Sequence, residues 1–318
     1  MRRFSFTLSL VRYVVGLAIA LVAIGSLPTT RAAEIFVDNV GGDDLLDGTA
    51  PDKPGGYIGP VRTIAKAVRI SGPSDRIQLK KNAEPYHESF TLFGGPNSGM
   101  NPDAPFIIQG NGAVLDGSRP VPAWAWRYYQ GDVYRFAPPR LTYQQLFLDG
   151  RPAVRKPYEP ASGKLPALEP HEWCLAGSCI YFRVDKGRLP SEYPLRYAAE
   201  QTGITLYRVH DVAILDLVVQ GFQQDGINAH DGVRRAFLAG LNCRGNGRSG
   251  VAVTNTSQVD LGGCLLGDNG VAQLLLEGYA EVHLTNCDVL DNTAPKFFRH
   301  GGRLFIEGKA EGDGKAAE

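Results

Sequence analysis

Four segments in the second half of the chain repeat one alternating pattern of apolar and polar residues. They begin at His210, Arg234, Ser257 and Ala280, so successive segments are 24, 23 and 23 residues apart. Apolar residues two apart direct alternate side chains of a strand to one face. The aligned apolar columns contain Val212, Ala236, Val259 and Val282; Ile214, Leu238, Leu261 and Leu284; Leu217, Leu241, Cys264 and Cys287; and Val219, Cys243, Leu266 and Val289.

A further short strand follows each of the first three segments, with Ile227, Val251 and Leu274 in one column. The residues of one column can be buried together only if successive repeats stack in parallel, about 4.8 Å apart. A helical repeat would show a 3.6-residue period instead, and the signature of leucine-rich repeats is missing. The pattern predicts an all-β fold, a single-stranded right-handed parallel β-helix solenoid with rungs over residues 203–307.

Two sets of polar or sulfur-containing residues repeat with the rungs. Asn246, Asn269 and Asn292 fall in register at the turn after the fourth column, which predicts a structural asparagine ladder. Cys264 lies one rung above Cys287, where parallel Cβ atoms are farther apart than the roughly 3.8 Å that a disulfide prefers. We therefore predict stacked, unbonded thiols at these two positions.

The segment 34–120 is predicted to hold an N-terminal cap and the first rungs. A short amphipathic helix over residues 61–70, with Ile64, Ala65 and Val68 on one face, would cover the open edge of the first rung. Predicted strands in this segment are Ile35–Val37, Arg76–Leu79, Phe90–Leu92, Phe106–Gln109 and Ala113–Leu115.

Several short motifs in this segment resemble the opening of right-handed parallel β-helix proteins of the pectate-lyase-like superfamily. The motifs are Asp43-Asp44-x-x-Asp47-Gly48-Thr49, Pro60-x-x-Thr63-Ile64-x-x-Ala67-Val68, Asp75-x-Ile77 and Tyr86-x-Glu88-Ser89. The resemblance covers most of residues 34–117 and 203–307, and it implies the β-helix fold. Because the superfamily includes polysaccharide lyases and glycoside hydrolases, the resemblance also implies, as an expectation, a carbohydrate substrate. The chain departs from the family pattern at Ser74, where glycine is usual, and lacks the glycine near Tyr86.

Residues 121–202 interrupt the rung pattern and are predicted to form an inserted β-rich subdomain. Predicted strands are Val133–Phe136, Gln145–Leu148 and Ile180–Val184, and Asp149-Gly150 supplies a turn signal. The stretch from Gln145 to Gly150 is similar to part of some β-helix glycosidases, a likeness at the level of the fold. All three tryptophans are here, as core residues or as surfaces that stack on sugars. Cys174 and Cys179 flank a turn and could close a hairpin.

The first 33 residues match an exported bacterial signal peptide. A basic start is followed by an apolar stretch over residues 13–27 and the small-residue site Thr30-Arg31-Ala32. The alternative is an uncleaved anchor, but about 15 apolar residues fall short of the ~20 needed to span a bilayer. We expect a secreted or periplasmic protein with no membrane span after signal removal, and a disordered tail over residues 308–318.

Composition excludes several classes of partner and site. Lys and Arg balance Asp and Glu, 33 against 33, so no nucleic-acid partner and no anionic membrane surface is indicated. No zinc spacing, phosphate loop or nucleophile elbow is present in the sequence. The three carboxylates of Asp43, Asp44 and Asp47 could bind calcium, although a hydrogen-bonded turn is the alternative that we favour.

The candidate functional residues lie on the outer face of the short strand that follows each segment. Tyr207, His230, Thr254 and Glu277 would form one outward stack, with Asp231 beside it. Asp231 and Glu277 lie two rungs apart, about 9–10 Å, which marginally suits an inverting pair of glycosidase carboxylates. We assign Asp231, Glu277 and His230 as candidate catalytic residues and Tyr207, Asp225 and Asn228 as candidate substrate-binding residues.

Two functions from different classes remain open at this point. The first is an exported β-helix protein that binds or processes polysaccharide, in the manner of a glycoside hydrolase. A lyase is less suited, because the arginines of the rungs lack an aspartate cluster beside them and arginine is a poor base. The alternative is a non-catalytic structural or interaction protein of the cell envelope, for which the outer stack is an ordinary polar face. The sequence leaves the oligomeric state open.

Overall fold

The computed structural model describes residues 32–312, and strands dominate it. Among these residues there is one α-helix, α1, which spans Ile64–Ile70, and short 3-10 turns lie at Ala123–Ala125, Pro160–Ser162 and Pro190–Glu192. The strands are β1 Glu34–Val37, β2 Arg76–Leu79, β3 Phe90–Phe93, β4 Phe106–Asp116, β5 Ser118–Pro120, β6 Arg127–Gln130, β7 Val133–Phe136, β8 Leu146–Leu148, β9 Arg151–Pro152, β10 Trp173–Ala176, β11 Cys179–Arg183, β12 Leu195–Ala198, β13 Ile204–Tyr207, β14 His210–Gln220, β15 Asp225–His230, β16 Arg234–Ala239, β17 Asn242–Arg244, β18 Ser249–Val253, β19 Gln258–Gly262, β20 Leu265–Gly267, β21 Ala272–Thr285, β22 Asp288–Val289, β23 Phe297–Ile306 and β24 Lys309–Ala310.

Parallel pairing between successive turns of the chain confirms the β-helix, because each strand pairs with its counterpart in the next rung. Sheet I contains β1, β2, the first half of β4 and of β14, β16, β19 and the second half of β21 and of β23. Sheet II contains the second halves of β4 and β14, then β17, β20 and β22. Sheet III contains β3, β13, β15, β18 and the first half of β21 and of β23.

The predicted apolar columns form the interior of this solenoid. Ile214, Leu238, Leu261 and Leu284 are register partners in neighbouring strands, and each is at most 2% exposed. The same arrangement holds for Ile227, Val251 and Leu274 on sheet III. Burial of these stacked side chains in one continuous cluster is the main source of the fold's stability.

Helix α1 begins three residues later than the sequence analysis predicts. Val61 lies in the first rung, bridged to Val37, and Thr63 is the N-cap, accepting a hydrogen bond from the Lys66 amide. The buried positions of the helix are Ile64 and Ala67, whereas Ala65, assigned to the apolar face, is exposed. The helix packs on β1, β2 and β3, so it covers the first rungs as expected.

The motif residues that carry the family resemblance hold loops and helix ends together. Both oxygens of the Glu88 carboxylate accept backbone amides at the start of α1, and burial raises the pKa of this carboxyl. Asp44 accepts the Arg62 and Thr63 amides and the Thr63 hydroxyl. Their hydrogen bonds give these residues a structural role.

The loop proposed for calcium also forms hydrogen-bonded turns. Asp43 accepts the amide of Leu45, and Asp47 accepts the amide and hydroxyl of Thr49. With Asp44 bonded to the start of α1, these carboxylates point to different partners. No group of three or more His, Cys, Asp or Glu side chains placed to hold a metal ion is found within residues 32–312.

The insert lies between sheets II and III, where residues 117–203 replace a turn that takes four residues in later rungs, such as 221–224. It contains two four-stranded antiparallel sheets, β10-β11-β7-β6 and β5-β12-β8-β9. Asp149 and Gly150 both adopt positive φ in the β8–β9 hairpin, as the turn signal predicts. Trp126 and Trp173 are buried in the core of the insert.

The asparagine ladder is confirmed for two of its three members. The Asn269 side-chain oxygen accepts both the backbone and side-chain N–H of Asn246, and both residues are fully buried. Asn292 is exposed instead, and the Gln273 side chain bridges it to Asn269. The last turn, residues 290–296, is longer than four residues, so Asn292 lies away from the stack.

The cysteines are unbonded in the described structure. Cys264 and Cys287 stack as predicted, with the Cys264 amide donating to the Cys287 sulfur, although Cys287 is only half-buried. In the β10–β11 hairpin, Cys179 lies opposite Ala176, whereas Cys174 lies opposite Tyr181. This register separates the two thiols and does not close the hairpin by a disulfide.

Two terminal predictions fall partly outside the described residues. The proposed signal peptide over residues 1–33 lies almost wholly outside them, as do residues 313–318. Lys309–Ala310, expected to be in a disordered tail, form β24 and pair with the end of β23. Within residues 32–312, no helix has the length and apolar character to cross a membrane.

One ion pair in sheet I makes the stability of the fold sensitive to acid. Asp211 accepts hydrogen bonds of 2.6 and 2.8 Å from the Arg235 guanidinium, which holds the pKa of Asp211 at about 2, below its usual 3.8. A carboxyl with a lowered folded-state pKa stabilises the fold above its unfolded pKa, and this contribution is lost as pH falls towards the folded value. We expect wild type to lose about 1 kcal/mol more stability than Asp211→Asn between pH 5 and pH 3.

Urea unfolding at the two pH values measures this difference. Asp288→Asn on the exposed surface of β22 is the control and should behave as wild type. Equal acid sensitivity of Asp211→Asn and wild type would show that this carboxyl does not contribute.

Candidate functional site

The outer surface of sheet III brings the predicted stack together. Side chains that alternate with the core residues point outward, and strand pairing aligns Tyr207 with Phe93 on one side and His230 on the other. Glu277 aligns with His300 in the last rung. The complete outward stack, here called the sheet III stack, is Phe93, Tyr207, His230, Thr254, Glu277 and His300.

Three aromatic rings form a continuous platform at one end of this stack. The ring centroids of Phe93 and Tyr207 are 6.1 Å apart, and those of Tyr207 and His230 are 5.1 Å apart. The Arg208 guanidinium lies 5.0 Å from the centre of the Tyr207 ring. Phe93 is 53% exposed. Tyr207 and His230 are partly buried, and the ring planes are tilted by 70° between Phe93 and Tyr207 and by 60° between Tyr207 and His230. A partly exposed row of rings with a cation beside it can contact the C–H faces of sugars.

A groove continues the platform towards the N-terminal end of the solenoid. It has a volume of about 490 Å³ and lies between α1 and the first strands of sheet III. Ala65 and Val68 line it from the helix, and Thr91, Phe93 and Thr205 line it from the strands. The exposed Ala65 therefore contributes to a surface concavity, which the sequence analysis did not predict.

Asp231 occupies a turn position next to the stack. Its φ of +62° is left-handed, and Arg208, Asn255 and Gly278 have positive φ at the equivalent position of other rungs. The Asn255 side chain donates a 2.7 Å hydrogen bond to the Asp231 carboxylate, and His230 Nδ1 lies 3.9 Å from it. Asp231 thus has a backbone role in the turn, and its carboxylate lies beside the imidazole of the stack.

Glu277 lies within the stack, two rungs from His230, with Thr254 between them. Asp231 directly follows His230, so the backbones of Asp231 and Glu277 are separated by two strand spacings, about 9–10 Å, and by an offset of one residue along the strand. Glu277 also interacts electrostatically with Arg248. Their assignment as a catalytic pair stays a prediction.

Asp225 is fully buried on the outer side of sheet III. Its carboxylate accepts two hydrogen bonds from the Arg248 guanidinium, at 2.9 and 2.5 Å, and one each from Ser249 and Asn228. The hydrogen bond to Asp225 raises the pKa of Arg248 above its ordinary value. This geometry makes Asp225 a support for its neighbours, and a direct contact with substrate stays a prediction.

Asn228 lies on the same surface, and one of its two polar side-chain atoms is unsatisfied. Its side-chain nitrogen donates to Asp225, whereas its side-chain oxygen is buried without a hydrogen-bond partner among residues 32–312. Buried acceptors are normally satisfied, so this oxygen is an exception, and its contact with a bound hydroxyl group stays a prediction. Asn228 aligns with Thr205, which lines the neighbouring groove.

A second cleft lies between the insert and sheet II, and the sequence analysis did not predict it. It has a volume of about 450 Å³, with Phe147 and Arg196 on the insert side. Arg196 donates to the hydroxyl and carbonyl of Ser118, and the Arg244 side chain donates to Gln220. The first pair lies within the insert and the second within the solenoid, and a contact that joins the two is that of the Arg196 guanidinium, 3.9 Å from the Asp116 carboxylate at the end of β4.

Comparisons with known proteins give a fold relationship. No family model and no curated protein matches the chain. A structure described as a glycoside hydrolase is similar with a TM-score of 0.55 at 13% identity, over 80% of this chain and 73% of the other. A complex of XylC with xylose has a TM-score of 0.44 at 12% identity, over 86% and 65%, and pectate lyase Pel9A has 0.36 at 10%, over 92% and 82%.

This chain spans 65% of the length of XylC. The likeness to the glycoside hydrolase is strong enough to bear on the fold, and at 13% identity it shows the fold alone. The chain is a parallel β-helix protein that shares its fold with a solved glycoside hydrolase.

Proposed function

We propose that this chain is an exported protein that binds polysaccharide along the outer surface of sheet III and processes it in the manner of a glycoside hydrolase. The observation that carries the proposal is the platform of Phe93, Tyr207 and His230, three adjacent rings on one outward surface. A solenoid presents equivalent positions 4.8 Å apart, which suits an extended chain of sugar units. The glycoside hydrolase fold and the sequence of residues 1–33, which matches a signal peptide, support the same proposal.

The proposed binding residues have separate tasks. Tyr207 stacks on a sugar ring, and the unsatisfied side-chain oxygen of Asn228, which is buried without ligand, accepts a sugar hydroxyl after a local shift of the side chain. Asp225 acts indirectly, because its carboxylate holds Arg248 and the Asn228 side chain in place. The groove beside α1 extends the contact surface past Phe93.

The proposed hydrolysis uses Asp231 and Glu277 as an inverting pair. One carboxyl group protonates the oxygen of the glycosidic bond as that bond breaks, and the other, as carboxylate, takes a proton from the attacking water. A backbone separation of about 9–10 Å lies at or just beyond the upper end, about 9.5 Å, of the range for this mechanism. His230, 3.9 Å from the Asp231 carboxylate, is the proposed proton shuttle.

One observation favours the alternative, a non-catalytic structural or interaction protein. The Asp231 carboxylate is bonded to Asn255 in a left-handed turn that recurs in neighbouring rungs, which is a sufficient structural reason for an aspartate there. In this alternative the platform binds a glycan or another envelope component without turnover.

Tyr207→Ala is expected to weaken polysaccharide binding by about tenfold, since it removes the central ring of the platform. Calorimetric titration with neutral and acidic oligosaccharides measures the affinity. Tyr57→Ala is the matched control, because Tyr57 is highly exposed and lies outside sheet III. Unchanged affinity of Tyr207→Ala would contradict the assigned surface.

The same oligosaccharides, assayed for turnover, test the catalytic step. Turnover is expected in wild type and is expected to be lost in Asp231→Asn and in Glu277→Gln. Activity that survives in both variants would remove the proposed pair. Binding without turnover would favour the non-catalytic alternative, and the absence of both would remove the proposed function.

A further inference from the structure

The insert exposes one tryptophan that its own core does not use. Trp126 and Trp173 are buried, but Trp124 is 76% exposed. It lies in the 3-10 turn Ala123–Ala125, and Arg127 Nη1 donates to the carbonyls of Trp124 and Trp126. These hydrogen bonds fix the backbone of the turn, and the turn holds the indole at the surface. An exposed indole in a fixed position is available to bind a ligand and does not pack in the core.

Trp124 borders a concave site in the insert. The cavity has a volume of about 630 Å³, within the range of small-molecule sites. Phe136 and Tyr197, which are both largely buried, line it from the insert's core, and Pro139 adds a further apolar wall. Arg127 and Arg135 are the charged residues of the lining. The site combines an apolar surface with a small number of placed cations.

The two arginines form an unusual pair. Arg127 and Arg135 lie directly opposite each other on the antiparallel strands β6 and β7, where like charges are destabilising. Some other arginines of the insert are neutralised, as Arg119 is by Glu200 and Arg188 by Glu192. In the part of the chain that the structure describes, neither Arg127 nor Arg135 forms an ion pair with a carboxylate. An anion bound between the two guanidinium groups would relieve their repulsion.

We propose that this cavity is a second saccharide-binding site, which takes a sugar ring bearing a carboxylate or a sulfate ester. The ring packs on the Trp124 indole, and the anionic group bridges Arg127 and Arg135 through charge-assisted hydrogen bonds. The site lies wholly in the insert, so it is separate from the sheet III stack. It shares with the function proposed above only the choice of saccharides as ligands.

Protection of Trp124 from acrylamide quenching is the test, because the other two tryptophans are buried. The probes are a galacturonan oligosaccharide, its fully methyl-esterified counterpart and a sulfated galactan oligosaccharide. Protection by the acidic probes is expected, with about tenfold weaker binding of the esterified probe. Which acidic probe binds more tightly distinguishes carboxylate from sulfate.

Variants assign the effect to the cavity. Arg135→Gln should weaken acidic-probe binding by about tenfold, and Trp124→Ala should weaken it and abolish the ligand-dependent fluorescence change. Arg188→Gln is the control, and Tyr207→Ala should leave the protection of Trp124 unchanged even if it abolishes binding on sheet III. Equal binding of the esterified and acidic probes, full affinity of Arg135→Gln, or no protection by any probe would each overturn the inference.

Discussion

Asp225→Ala is expected to lower the free energy of unfolding by about 3–5 kcal/mol, the typical cost of breaking a buried ion pair from one side. The side chain of Asp225 is fully buried, and that of Arg248 is 19% exposed. Removing the carboxylate leaves the guanidinium, the Ser249 hydroxyl and the Asn228 amide without their shared acceptor. Because the pair joins two consecutive rungs, its loss weakens the stacking of β15 on β18.

A double variant separates the ion pair from the packing of the site. Asp225→Leu combined with Arg248→Met removes both charges and keeps comparable volume, so it should recover most of the stability lost in Asp225→Ala. Urea unfolding measures both variants, and Asp231→Asn, in a left-handed turn that asparagine tolerates, is the control. A loss below 1 kcal/mol in Asp225→Ala would show that the ion pair adds little to the stability of the fold.

The sequence is sufficient to predict the solenoid because the burial pattern repeats. A column such as Leu238, Leu261 and Leu284 is apolar in every rung, and a shift of one residue would turn every member of it towards water. The alternation within a strand and the 23-residue repeat are independent signals that require the same register. Their agreement explains why the strands of the rungs could be predicted closely.

The first residue of the helix was less predictable, because apolar character alone does not distinguish a strand residue of a rung from a helix residue. Val61 is apolar and precedes the helix, but it is buried by pairing with Val37. Thr63 was the better indicator, since its hydroxyl accepts the Lys66 amide as an N-cap. The exposed Ala65 shows the same limit, because alanine suits either side of a helix.

The candidate site was predictable where its members occupy repeated positions. Tyr207, His230 and Glu277 could be aligned because equivalent core residues precede each of them. Phe93 was missed, because the insert separates β3 from β13 in sequence although they pair in space. The role of Asp225 was also hidden, since its partner Arg248 lies on the next rung and a contact between rungs requires a known register.

The position of the insert against the solenoid could not be predicted from local patterns. At Gly247 an added Cβ would lie 1.7 Å from the Tyr143 carbonyl oxygen and 2.2 Å from that of Gln223. Because Gly247 has no side chain, the insert backbone at Tyr143 can approach the turn that contains Asn246 and Gly247. The alignment of Asn246 with Asn269 and Asn292 in the sequence does not reveal this contact. The exposure of Trp124 likewise depends on how the insert folds, because the sequence gives no reason to place one of the three tryptophans outside the core of the insert.

Leu261→Ala is expected to lower the free energy of unfolding by about 2–5 kcal/mol, the range for a buried leucine whose cavity collapses only partly. Leu261 is 1% exposed and lies between Leu238 and Leu284, so its deletion removes contacts with two neighbouring rungs at once. In a solenoid, where each rung contacts only its neighbours, the rungs on either side cannot close the gap without losing register. Chemical denaturation measures the loss, and Leu45→Ala, at a leucine that is 79% exposed, should change stability by less than about 0.5 kcal/mol. If the two variants were equally stable, Leu261 would not face the interior, and the stacked columns on which the sheet III stack depends would be misassigned.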